Sequence, residues 1–87
     1  MHVQWTDADP ATGEKRFVRA TRFARAWRFA VRAKRREDWA PAQVVTKAMW
    51  EELLDALERR YPRREATDEE LAEVRKAVRE YREPPAG

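Results

Sequence analysis

In VQWTD, Val3 and Trp5 alternate with polar residues, and the stretch that follows, ADPATGE, supplies Asp, Pro, Thr and Gly in the order that ends a strand and turns it back. This pattern predicts a β-hairpin whose return strand begins near Lys15, with Phe17 placed to pair across it with Trp5 or Val3. Further on, Trp27, Phe29, Val31 and Ala33 alternate with Arg28, Ala30, Arg32 and Lys34. A period of two argues for a strand with one apolar and one basic face.

A helix competes for the same residues. On a helical wheel Phe17, Ala20, Phe23, Ala24, Trp27, Ala30 and Val31 share an arc of roughly 140°, while Val18, Ala26, Phe29 and Ala33 fall among the arginines. The strand reading is preferred because the DPATG turn needs a partner for VQW, and because Trp, Phe and Val suit a pleated surface. The many alanines weigh the other way.

After Trp39 the segment APAQVV reads as a connector. Thr46 then caps a helix, with Val45 and Trp50 placed as a hydrophobic staple and Trp50, Leu53, Leu54, Leu57 and Tyr61 recurring at helical spacing. Pro62 stops it. Thr67 and Glu70 form a T-x-x-E capping box for a second helix, whose first turn holds Asp68 and Glu69 and whose buried stripe is Leu71, Val74, Val78 and Tyr81. The link PRREA is short, so the two helices are expected to form an antiparallel hairpin.

The fold expected is α+β: an N-terminal antiparallel sheet of two or three strands packed against a C-terminal helix hairpin. The alternative is an all-α three-helix bundle with residues 14–38 as its first helix. One domain is expected over residues 1–83, with a basic β-rich part at 1–36, helices at 46–61 and 67–83, and a flexible tail at 84–87. A chain of 87 residues buries only about 60 to 65% of its unfolded surface and has no second core to form.

Composition adds three things. With 40% charged residues and a mean hydropathy of −0.97 the chain is polar, yet four Trp, three Phe and two Tyr are more large apolar bodies than a disordered chain carries. Without cysteine neither a disulfide framework nor a thiolate metal site can form, which favours a reducing compartment. MHVQWTDADP has acids where a signal peptide needs an apolar stretch, and no 18 apolar residues run together, so a cytoplasmic protein with no membrane contact is expected.

Charge is distributed unevenly. Residues 1–13 carry −2, residues 14–36 carry ten bases against Glu14, and residues 37–87 carry thirteen acids and nine bases, within a net charge of +3. The run KRFVRATRFARAWRFAVRAKRR therefore concentrates the positive field. Arg and Lys neutralise phosphates and release counterions, and the guanidinium also forks onto phosphate oxygens.

The candidate nucleic-acid-binding residues are Arg16, Arg19, Arg22, Arg25, Arg28, Arg32, Lys34, Arg35 and Arg36. Arg28, Arg32 and Lys34 are expected in one row of a strand, with Arg16 and Arg22 extending that row on its neighbour, and Arg63 and Arg64 would widen the surface. Trp27, Phe29 and Val31 are expected in the core beneath the helices; Phe23 and Trp39 fit the alternation least and are the candidates for partial exposure. A competing reading has the arginines neutralised by Glu51, Glu52, Asp55 and Glu58, and Asp55 with Arg59 is a routine i, i+4 surface pair.

No reaction is legible. One histidine, His2, near the start cannot found a nucleophile–base constellation, and two glycines, Gly13 and Gly87, cannot build a phosphate-binding loop. No cofactor or metal is expected. The function expected is a small non-enzymatic protein that binds DNA or RNA mainly through phosphates. The alternative is an adaptor or subunit that docks on an acidic protein or self-associates through its helix pair.

Overall fold

The turn that the DPATG stretch predicts is closed by its own side chains. Asp9 accepts at its carboxylate from the Ala11 N–H at 2.8 Å, Thr12 Oγ1 accepts from the Glu14 N–H at 3.2 Å, and the backbones of Asp9, Gly13 and Glu14 bond across the loop. Gly13 has φ 76°, a value that glycine adopts without the Cβ clash other residues incur.

The computed structural model describes residues 1–82. The chain divides into two compact units, Met1–Val44 and a second from Val45 onward. The first holds β1 (His2–Ala8), β2 (Lys15–Phe23), β3 (Ala26–Arg32) and β4 (Ala40–Pro41); the second holds α1 (Lys47–Arg60), a single 3₁₀ turn (Tyr61–Arg63) and α2 (Asp68–Arg79). The protein is α+β, and the basic run is strand, not helix. The tail expected at 84–87 and the last residue of the second predicted helix lie outside the described residues.

The sheet is an antiparallel meander in the order β1-β2-β3-β4. It has four strands, not the two or three expected. β4 is two residues of the segment that reads as a connector, too short to carry a period; Pro41 is tolerated there because an edge strand can lack one N–H. Ala40 and Pro41 pair with Val31 and Ala30, and Ala42 N–H donates to Phe29 O at 2.9 Å.

Register sorts the side chains. Trp5 stands opposite Val18 and Val3 opposite Ala20, and Val18 and Ala20 in turn face Val31 and Phe29. These residues share one face, where Val3, Val18, Ala20 and Phe29 are buried and Trp5 meets Phe29 edge-on at 6.2 Å. Phe17 pairs with Thr6, not with Trp5 or Val3. The expected pairing fails because residue 17 has the opposite parity to the buried 18 and 20, which puts its ring on the other face. Of the three expected core residues of β3, Phe29 is buried and Trp27 and Val31 are half-buried.

Between β2 and β3 the chain reverses through Ala24 and Arg25, with φ 51° and 64°. Positive φ at both central residues is the type I′ geometry that matches strand twist. Neither residue is Gly or Asn, so each carries a Cβ penalty of about 1 to 2 kcal/mol. The double substitution A24N/R25G is expected to stabilise the protein by about 1 to 2 kcal/mol, raising the thermal midpoint by roughly 4 to 8 °C per kcal/mol. An unchanged midpoint in thermal denaturation would show that the turn carries no strain.

The helical unit follows its caps. Thr46 Oγ1 accepts from Met49 N–H at 3.2 Å; Thr67 Oγ1 accepts from Glu70 N–H at 3.1 Å while the Glu70 carboxylate accepts from Thr67 N–H at 2.8 Å. Met49, Leu53 and Leu57 of α1 are buried, as are Leu71 and Val74 of α2. The stripe of α1 is rotated from the one expected: Met49 leads it, Trp50 and Leu54 are half-buried, and Tyr61 is exposed. Tyr61 Oη instead donates to the Asp68 carboxylate at 2.6 Å, and this bond is the main cause of a phenol pKa above its usual value. The second helix ends at Arg79, short of the expected 83, and Tyr81, two residues beyond it, donates from its Oη to Val45 O at 2.9 Å. Among the described residues no helix is long and apolar enough to cross a membrane.

Candidate functional site

Parity places the cations as it places the core. Counting from the buried Val18 and Ala20, Phe17, Arg19, Thr21 and Phe23 of β2 lie on the opposite face. The register sets Phe17 against Arg32, Arg19 against Ala30, Thr21 against Arg28 and Phe23 against Ala26. Arg28 and Arg32 are thus diagonal neighbours of Arg19, at roughly 7 to 8 Å. Three arginines from two strands share one sheet face.

Aromatic rings hold them there. Arg19 Cζ lies 4.5 Å and Arg32 Cζ 4.4 Å from the centroid of the Trp39 ring. Arg32 and Arg35 each lie 5.8 Å from the Phe17 centroid, and Arg28 lies 5.9 Å from that of Phe23. A guanidinium over an aromatic face gains about 0.5 to 2 kcal/mol from the ring quadrupole. The ring orders the arginine and leaves its charge uncancelled, which a carboxylate partner would not.

Charge pairing within the sheet unit agrees. Among its described residues no carboxylate forms an ion pair with Arg19, Arg28, Arg32, Lys34, Arg35 or Arg36. Glu37, in the loop after β3, gives its carboxylate to the Ala33 N–H at 3.3 Å, and its carbonyl accepts from Arg32 Nη1 at 3.4 Å. The Nε–H groups of Arg19 and Arg32 are covered and have no acceptor, each a donor whose burial costs about 1 to 3 kcal/mol until an acceptor reaches it. Beside them Arg19, Thr21, Arg28, Ala30, Trp39 and Pro41 line an open groove of about 280 Å³.

Three expected members of the row belong elsewhere: Lys34 lies past the end of β3, and Arg16 and Arg22 lie on the opposite face. Arg22 pairs with Trp27 and Arg16 with Asp7, so both lie on the face of Trp5, Val18 and Phe29. A strand alternates faces, and 16 and 22 share the parity of 18 and 20, so they cannot stand with Arg28 across this register. Arg16 is buried and donates to both carboxylate oxygens of Asp7, at 2.7 and 3.2 Å. That hydrogen bond is the first cause of its raised pKa. Arg25 occupies the β2–β3 turn, and Lys34, Arg35 and Arg36 the exposed loop after β3.

Arg63 and Arg64 are exposed in the turn between α1 and α2. Of the acids weighed as neutralising partners, Asp55 pairs with Arg59 at 3.1 Å and Glu58 with Arg75 at 3.6 Å, both inside the helical unit. Phe23 is 68% exposed and Trp39 half-buried, as their poor fit to the alternation suggests.

Sequence reasoning missed Trp39 and Phe17 as the platforms of the site. The signal was there in part: if Val18 and Ala20 are core, Phe17 and Arg19 cannot be. The link from Trp39 to Arg19 has no sequence signature, because it depends on β4 bringing residue 39 back beside β3. Among the described residues no group of three or more His, Asp or Glu gathers as metal ligands would. Compared with family models, with curated proteins and with solved structures, the chain matches none, and its function has to be read from this geometry.

Proposed function

We propose that the protein is a small non-enzymatic nucleic-acid-binding protein, and that Arg19, Arg28 and Arg32, with Lys34, Arg35 and Arg36 beside them, contact mainly the phosphate backbone. The observation that carries this reading is the ordering of Arg19 and Arg32 over Trp39 without a carboxylate. An arginine ordered by a neutral ring has already lost side-chain freedom and keeps its full charge, so a phosphate meets a prepared donor. The expected members Arg16 and Arg22 lie on the other face and are outside this set, Arg16 in an ion pair with Asp7.

Binding through phosphates releases counterions, so affinity falls with salt. For about six neutralised phosphates the loss between about 50 and 200 mM salt is on the order of 1,000-fold, with little dependence on base sequence. Fluorescence anisotropy with a labelled oligonucleotide measures it. No binding at low salt, or binding that is equal at both salt concentrations, overturns the proposal. A second copy of the chain would show itself in sedimentation of the protein alone, as a dimer formed without oligonucleotide.

A further inference from the structure

We propose that the β2–β3 hairpin tip stacks an unpaired base on Phe23, which makes single-stranded nucleic acid the preferred ligand of the cation face. This rests on the nucleic-acid reading above and adds what that reading leaves open, the kind of strand.

The aromatic rings of the cation face differ in how they are covered. Trp39 has two guanidiniums within 4.5 Å of its centroid and Phe17 has two at 5.8 Å. Phe23 has one, Arg28 at 5.9 Å, and is 68% exposed, the highest value among the exposed large apolar side chains described. An apolar ring held in water is costly unless something covers it. Every base has a π-face, so a base covers it without sequence preference.

Placement makes the occupant specific. Phe23 ends β2 on the same face as Arg19 and Arg28, and the row continues through Trp39 and Arg32 to Phe17 and Arg35. From Phe17 to Phe23 the strand runs about 20 Å, a reach of several nucleotides. A backbone following the arginines would bring a base to Phe23 at the end of the row, and only an unpaired base exposes a face to stack. The turn beyond Phe23 is a strained two-residue reversal, with both φ values positive. It holds the ring on a short ribbon instead of a loose loop, which lowers the entropy lost on binding.

The test separates base from backbone. Wild type and F23A are titrated at low salt with a labelled poly-dT oligonucleotide, with an abasic strand carrying the same phosphates, and with a duplex of equal length. Wild type is expected to bind poly-dT roughly 5- to 100-fold more tightly than the abasic strand. F23A releases Arg28 as well as removing the stacking ring, so the readout is the ratio of the two affinities: it should fall to about one in F23A, whatever the abasic strand itself loses, and F23Y should keep it. Equal binding of poly-dT and abasic strand by wild type, a duplex bound more tightly than poly-dT, or an F23A variant that keeps the preference overturns the inference and leaves the phosphate reading standing. Failure to bind any of the three overturns that reading, and this inference with it.

Discussion

Asp7→Ala is expected to cost about 1.5 to 3 kcal/mol of stability, because it removes the carboxylate that accepts two charge-assisted hydrogen bonds from a largely buried guanidinium. The Arg16 and Asp7 side chains are 10% and 25% exposed, and their closest approach is 2.7 Å. The hydrogen bond to Asp7 raises the Arg16 pKa; without it an arginine still keeps its proton at every working pH, so the guanidinium cannot relieve the loss by giving it up. Arg16→Met should cost less, since the carboxylate left behind is the more exposed partner.

Replacing both, D7L/R16M, should come within about 1 kcal/mol of the parent, as apolar pairs of similar volume often do. Urea denaturation at constant slope measures all three. A cost for D7A below about 1 kcal/mol would mean that the pair behaves as a surface bridge.

The reassignment of Arg16 shows how far the sequence could be read. Periodicity in β3 was legible because Trp27, Phe29 and Val31 alternate cleanly with basic or small residues. The hairpin loop was legible because Asp9, Thr12 and Gly13 each have a backbone preference that acts locally. Both helices were legible from Thr46, Thr67 and Glu70 for the same reason.

Register was not legible. It depends on the length of the turn between β2 and β3, and Ala24 and Arg25 carry none of the residues that announce a two-residue turn. Without that turn the parity linking Arg19 to Arg28 and Arg32 was hidden, and Arg16 and Arg22 were grouped with them by proximity in sequence. The rotated stripe of α1 has a similar origin. Trp50 is larger than Met49 and takes the eye, but burial follows geometry over several turns and favours the residue in phase with Leu53 and Leu57.

The remaining large effect is on binding, and it distinguishes a site from a net charge. R19A/R28A/R32A and R59A/R75A/R79A each remove three positive charges from a chain of net charge +3. If binding followed net charge, the two variants would lose affinity alike. In the first, each arginine removed is a charge-assisted donor worth about 1.5 to 3 kcal/mol against a phosphate, or an affinity loss of 100-fold or more for the set. In the second, Arg59 and Arg75 already answer Asp55 and Glu58, and an exposed pair of this kind contributes about 0 to 1 kcal/mol to folding. The first variant should also flatten the salt dependence of binding by roughly one unit of logarithmic slope for each phosphate that is no longer neutralised, while the second leaves it nearly unchanged. Equal losses in the two variants would remove the cation face from the account of binding, because only its position on β2 and β3 separates it from the helical arginines.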